Sequence, residues 1–244
     1  MDPTPRLKIL AERFLALGET LNLSAAKDLD TLWARHILDS LALLELPEVK
    51  AAKTLLDLGS GGGFPGLPLA ITRPDLAVTL LDSVAKKMAA AQTLIDEVGI
   101  PNASVRVGRA EDLGRDPALR QSWQVVVARA VAPLPTLLEY AAPLTALHGT
   151  FIAMKGPDAA EEVAAAEGAR QKLRLAEPRI IPYTVGDRTF HHVVYPLKQY
   201  VPKAYPRGQG LPRKRPLGSE GAQAPQGAEG DGRARRGPPS RRKP

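Results

Sequence analysis

The strongest chemical feature of the chain is a glycine-dense turn, Leu55-Leu56-Asp57-Leu58-Gly59-Ser60-Gly61-Gly62-Gly63-Phe64-Pro65-Gly66. Glycines directly after a buried strand let a ligand approach the backbone closely, and Pro65 suits the first turn of a following helix. A nicotinamide dinucleotide loop would read G-x-G-x-x-G. Here Gly59 and Gly61 fit that pattern, but Phe64 stands at its third glycine, and the spacing is G-x-G-x-G through Gly63. Asp82 lies 19 residues after Gly63, at the end of the next apolar run. A carboxylate there accepts hydrogen bonds from both hydroxyls of an adenosine ribose; alternatively it caps the helix that follows. Ala110-Glu111-Asp112 follows the third run and either borders a ligand or supplies the acids of a helix first turn.

The G-x-G-x-G turn resembles the first motif of class I S-adenosylmethionine methyltransferases, in which the loop wraps the methionine part of the cofactor. In such enzymes the loop corresponding to Ala110-Glu111-Asp112 holds the adenine. The end of the fourth apolar run then bears on the chemistry. Amino methyltransferases of adenine or cytosine carry Asp/Asn-Pro-Pro-aromatic there, whereas this chain has Ala128-Arg129-Ala130-Val131-Ala132-Pro133. Methylation at pyrimidine C5 usually needs a cysteine nucleophile, and the chain has none. An atom that is already nucleophilic, such as guanine N7, needs no general base, only in-line placement and positive charge beside the O6 edge. Arg109 and Arg129, at the carboxyl ends of the third and fourth runs, can contact cofactor or substrate; the alternative for each is a structural ion pair. Arg35, His36 and Asp39 share one helical face, where Asp39 can pair with Arg35 or His36 or simply be solvated. No set of residues has the spacing of a metal site. Lys155 either reaches a phosphate or ends its strand.

These residues need elements to hold them. Leu7, Leu10, Phe14, Leu17 and Leu21 recur at helical spacing, and a second helix capped by Asp28 or Asp30 is expected to run to about Leu46, where Pro47 stops it. From residue 53 strands and helices alternate. Strands are expected at Thr54–Leu58, Val78–Leu81, Ser104–Val107, Gln124–Ala128 and Thr150–Met154, and helices at Leu67–Thr72, Val84–Val98, Pro133–Ala142 and Asp158–Leu173. Continuous apolar strands between helices predict a parallel sheet covered on both faces. Arg179–Val185 and His191–Leu197, joined through Gly186-Asp187-Arg188, predict an antiparallel hairpin at its edge.

The chain of 244 residues carries a net charge of +7, and the excess is local. Residues 203–244 hold 11 Lys and Arg against 3 acids, with 8 Gly and 7 Pro. That composition predicts a flexible basic arm attractive to phosphate backbones, or a merely solvating tail. The expected division is an N-terminal helical cap (1–50), a methyltransferase domain (51–202) and the basic tail (203–244). The absence of cysteine and of any long apolar run, with no secretory start, predicts a cytoplasmic protein without disulfides or membrane spans.

Asn22-Leu23, the run from Arg35-His36 to Asp39-Ser40, the glycine turn, Leu81-Asp82-Ser83 with Lys86-Lys87, Gly108-Arg109-Ala110-Glu111, Val127-Ala128-Arg129-Ala130 and Met154-Lys155-Gly156 appear in this order. Together they resemble the bacterial small-subunit rRNA guanine-N7 methyltransferase family (RsmG/GidB) over about residues 1–200. The resemblance implies a class I, Rossmann-like, mostly parallel seven-stranded sheet. It implies methyl transfer from S-adenosyl-L-methionine to N7 of one guanine in the decoding region of 16S rRNA, and low-level streptomycin resistance when the enzyme is lost. It also implies a monomer acting on 16S rRNA, the small ribosomal subunit or its precursor. Gly59, Gly61, Gly63, Phe64, Asp82, Ser83, Val84, Ala110, Glu111 and Arg129 would line the cofactor, with Phe64 replacing a leucine carried by some members. Asn22, Arg35, His36, Asp39, Arg109 and Lys155 would face the RNA, with no acid–base catalyst and no metal. The other readings are a methyltransferase of a protein or small molecule, a non-catalytic nucleotide or RNA binder, and a nicotinamide oxidoreductase, which Phe64 disfavours.

Overall fold

A computed structural model describes residues 2–21, 26 and 28–219. Helix α1 (Thr4–Leu21) buries Leu7, Leu10 and Phe14, the inner positions of its periodic face. Asp28 caps α2 (Leu29–Leu32) by accepting the Thr31 N–H at 2.7 Å. The expected continuous second helix is not formed. The chain passes through a π-helical turn (Trp33–Leu38), α3 (Asp39–Leu41) and a 3-10 turn (Ala42–Glu45), and Pro47 opens α4 (Pro47–Ala51). A π turn adds a residue to the helical circuit and re-aims the side chains on it. Here Ile37 and Asp39 turn inward while Arg35 stays exposed.

Seven strands follow: β1 (Thr54–Leu58), β2 (Ala77–Asp82), β3 (Ala103–Val107), β4 (Trp123–Arg129), β5 (Thr145–Lys155), β6 (Arg179–Val185) and β7 (Arg188–Pro196). They form one sheet in the order β3-β2-β1-β4-β5-β7-β6. The first five are parallel, and β7 pairs antiparallel with both β5 and β6. Between them lie α5 (Gly66–Thr72), α6 (Ala85–Val98), α7 (Ala110–Leu113), α8 (Leu134–Ala141), α9 (Ala159–Ala165) and α10 (Glu167–Leu173). The last two divide at Ala166 what the periodicity predicts as one helix.

Alternation along the strands splits the core into two layers. Leu55, Val125 and Val127 face α5 and α6, and the N-terminal residues Leu7, Leu10 and Phe14 join that same layer. Leu56, Val126 and Ala128 face α8 and α10. The N-terminal helices are therefore part of the sheet's own core.

The expectation of a free arm from Lys203 is corrected for residues 203–219, which form a packed strap containing α11 (Leu211–Lys214). Gly and Pro deny this segment a regular ladder, and side chains of the body satisfy its backbone instead. Arg120 donates to the carbonyls of Val201, Pro202 and Tyr205, Arg115 to Pro206, and Thr136 to Pro212. Arg207 grips both carboxylate oxygens of Glu139, which is wholly buried on α8 (2.7–3.1 Å). Residues 220–244 lie outside the described residues.

Arg207→Ala should cost on the order of 3 kcal/mol in urea unfolding, because it strands a buried carboxylate. Arg207→Lys, a point charge without the planar fork, should fall between this variant and the parent. A second buried acid gives a pH signature. Asp57 on β1 is fully buried, accepts the Gly66 N–H at 2.7 Å and has no partner for its other oxygen. Desolvation pushes its pKa up to about 7, with Asp82 adding to the rise and the Gly66 bond and Arg129 opposing it. A raised folded pKa means that stability is lost as pH climbs from the ordinary carboxylate value of 3.8 through 7. Asp57→Asn keeps an acceptor for Gly66 without titrating. Relative to the parent it should therefore gain stability over that window, by at most about 1.4 kcal/mol per pH unit. A stability difference independent of pH would refute the assignment.

Candidate active site

Strand order reverses between β1 and β4, so their outgoing connections diverge and leave a crevice at the carboxyl ends. Two cavities open there. One, of about 590 Å³, lies among Gly59–Gly62, Phe64, the π turn, Arg129 and the tip of the β6–β7 hairpin. The other, of about 520 Å³, lies among Asp82, Ser83, Arg109, Ala110, Glu111 and the strap. Both are bordered by Gly59 and Ala130, the first residues beyond β1 and β4.

Gly59 has φ +72°, and a Cβ there would sit 2.5 Å from Val131 Cγ2. Gly63 has φ +101° and would meet Leu67 Cδ1 at the same distance. Gly63 thus shapes the loop and is absent from the lining of both cavities, unlike Gly61, which has open space before it. The loop is tied to β2 through Asp82, whose two oxygens accept the N–H groups of Gly61 (3.1 Å) and Val84 (2.9 Å). Val84 itself is exposed and outside the cavity linings.

The end of β4 is held by a polar knot. Arg129 pairs with Asp39 at 2.7 Å, donates to the Arg35 carbonyl at 3.2 Å and reaches His36 Nδ1 at 2.8 Å. Asp39 accepts the Tyr183 hydroxyl at 2.7 Å with its other oxygen. A guanidinium only donates, so Nδ1 of His36 is the acceptor and the ring is neutral. Burial first, then Arg129 and Arg35, push the His36 pKa down to about 4, against the pull of Asp39. Its ring lies 5.2 Å from that of Phe64, which packs edge-on against Phe14. The expected pairing of Asp39 with Arg35 or His36 on one helical face is corrected: Asp39 is buried and turned to β4 and β6. Lys155 ends β5, one of its two expected roles. Its ammonium is held by Glu162 (2.7 Å) and the Ala132 carbonyl (3.2 Å).

In the second cavity Ser83, Ala110 and Glu111 come together, and Arg109, expected on the RNA side, lines it with them. The wall opposite them was not predicted. Gly210, Arg213 and Lys214 of the strap line it, and the buried Glu111 carboxylate accepts the Gly210 N–H at 3.0 Å. The tip residues Val185–Arg188 and Phe190 were likewise missed. Their signal was two aromatics, Tyr183 and Phe190, flanking a glycine turn. Asn22 lies outside the described residues. Among the described residues no group of three or more potential ligands could hold a metal ion, and no helix is long and apolar enough to cross a membrane.

The fold is similar to solved methyltransferases. A putative O-methyltransferase from Klebsiella pneumoniae superposes with a TM-score of 0.56 at 15% identity, covering 78% of this chain and 90% of that one. The Streptomyces achromogenes O-methyltransferase TomG, solved with SAM, gives 0.53 at 15%, covering 78% and 90%. Sequence relatives carry more detail. "Ribosomal RNA small subunit methyltransferase G" of Roseiflexus sp. is 45% identical over 206 residues, 83% of this chain and 86% of that protein. The protein of the same name from Deinococcus radiodurans is 41% identical over 225 residues, covering 89% and 88%. A family model described as rRNA small subunit methyltransferase G matches residues 4–189. With that match over most of its length, the chain belongs to the GidB family of rRNA small subunit methyltransferases.

Proposed function

We propose that the chain transfers a methyl group from S-adenosylmethionine to N7 of a guanine in the decoding region of 16S rRNA. The observation that carries this reading is the pair of cavities joined at Gly59 and Ala130. One offers an acid for a ribose; the other offers a glycine-floored chamber large enough for a base. The residues fit the cofactor. Asp82 faces the second cavity, and Gly59 and Gly61 leave backbone where side chains would stand. In this reading Asp82, Ser83, Ala110 and Glu111 border adenosine, Gly59, Gly61, Phe64 and Arg129 border the methionine end, and Arg35 and His36 face the base.

When bound, S-adenosylmethionine supplies an electrophilic methyl on a sulfonium. Transfer to the N7 lone pair would exchange a C–S for a C–N bond without moving a proton and would carry the positive charge from sulfur to guanine, so the chamber must tolerate one cation throughout. The chain meets this requirement by keeping His36 neutral and pairing Arg129 with Asp39. Arg35 is exposed at the rim, and in this reading it donates to O6. An rRNA substrate places the enzyme in the cytoplasm, and the basic residues beyond Ser219 add sequence-independent attraction to phosphate.

The deciding experiment incubates the full chain with labelled S-adenosylmethionine and small subunits or 16S rRNA lacking the modification, then maps the labelled nucleotide. Label at a single guanine N7 is expected; label on another base, or on protein, overturns the reading. In the same assay His36→Asn should leave the shape of the single-turnover pH profile between about 6 and 8 unaltered, because a group with a pKa of about 4 does not titrate there.

Asp82→Ala should weaken S-adenosylhomocysteine binding by about 1.5–3 kcal/mol, the range for a lost charged hydrogen bond. Part of that loss is loop order, since Gly61 also loses its acceptor. Asp82→Asn, which still accepts, should lose less. Calorimetry giving all three proteins one affinity would remove Asp82 from the site.

A further inference from the structure

The hairpin tip joining β6 and β7, given no role in the cofactor chemistry above, lines the larger of the two cavities. Val185, Gly186, Asp187, Arg188 and Phe190 border it together with Gly59–Gly62 and Phe64. Phe190 is half-buried, and its ring is backed by Tyr183, stacked at 5.8 Å and 29°. Tyr183 is fixed in turn by His192 stacked on it at 4.0 Å and by its bond to Asp39. The Arg188 guanidinium lies 5.6 Å from the centre of the Phe190 ring. Phe190 also borders a smaller cavity next to Met154 and Lys155.

A rigid ring backed by Tyr183, with an exposed guanidinium lying over it, suits a planar unpaired base and its phosphate: Arg188 can yield the ring face to the base and turn to the phosphate. Proteins that read unstacked RNA bases use such rings as platforms and place cations beside them. We infer that the tip of the β6–β7 hairpin is the substrate-recognition wall of this enzyme. The target nucleotide, turned out of its RNA stack, lays its base against Phe190 while Arg188 neutralises the adjoining phosphate. Glycine at 186 lets the tip turn tightly (φ +63°), with open space beside its Cα for the entering strand. The Asp39–Tyr183 bond then links substrate platform to cofactor floor, since Asp39 also holds Arg129. This inference rests on the RNA substrate proposed above.

The test compares the parent with Phe190→Leu, Phe190→Tyr and Arg188→Gln, measuring S-adenosylhomocysteine affinity, KM for rRNA and kcat. Phe190→Leu keeps bulk but loses the π face. It should lower kcat/KM for rRNA roughly 10- to 100-fold, the range for losing one base stack, with cofactor affinity unchanged within about twofold. Phe190→Tyr should stay close to the parent. Arg188→Gln sits on an exposed turn, where it cannot disturb the core. It should raise KM for rRNA without altering kcat, and flatten the dependence of log affinity on log salt by about 0.7–0.9, the share of one phosphate contact. Parent-like kcat/KM in both Phe190→Leu and Arg188→Gln would overturn the inference while leaving the methyltransferase reading intact. So would a Phe190→Leu defect matched by equal loss of cofactor affinity, if Arg188→Gln is parent-like. A parent enzyme that labels no rRNA would remove both readings together.

Discussion

Arg129 is a single cation on which three distant stretches of chain converge. It leaves the end of β4, pairs with Asp39 below the π turn, and accommodates His36 and the Arg35 carbonyl around the rest of its guanidinium. Asp39 carries the connection onward to Tyr183 on β6. These groups are largely removed from water, so each depends on the others. An unpaired guanidinium or carboxylate at such depth costs several kcal/mol. The knot also explains why the N-terminal helix is broken. A regular helix through Trp33–Leu41 would spread Arg35, His36 and Asp39 over one surface face. The π turn sends the carboxylate inward and leaves the arginine at the rim. The cavity at the switch point therefore has walls from the N-terminal helices, the parallel sheet and the terminal hairpin, and one ion pair registers all three.

Much of the sheet was legible because its signal is local. Thr54–Leu58 and Gln124–Ala128 are apolar runs too short for helices, the first ended by the glycine loop and the second by Arg129. The hairpin was legible from Gly186. The glycine loop and Asp82 were legible because close ligand approach demands those residue types at that spacing. The π turn was not, because nothing in the helical periodicity of Leu29, Trp33 and Ile37 marks an extra residue in the circuit. Only Arg129, 90 positions from Asp39, makes the turn worthwhile, and that pairing is a tertiary fact.

The strap shows the same limit more sharply. Composition describes residues 203–219 as basic, Gly/Pro-rich and unable to bury much surface, yet Pro206, Pro212 and Leu217 are buried and Leu217 joins the core layer of α8 and α10. Polar contacts complete the hold. Arg115 and Arg120 satisfy its carbonyls, and Arg207 matches a carboxylate hidden on α8. Nothing in the sequence around Glu139 marks it as a buried acid. An acid buried without a local cation is the feature that announces a distant one, and burial is invisible before folding.

The bond between Gly210 and Glu111 has a consequence in time. A chain emerging from the ribosome presents its amino end first. The sheet's five parallel strands and the glycine loop are all available once β5 has left the exit tunnel. The wall that holds Glu111 follows more than fifty residues later, after the hairpin. A nascent chain can thus assemble its core while one side of the cavity beside Asp82 and Glu111 still stands open. Completion of that cavity is a late event of synthesis, waiting for the strap to close over α7 and α8.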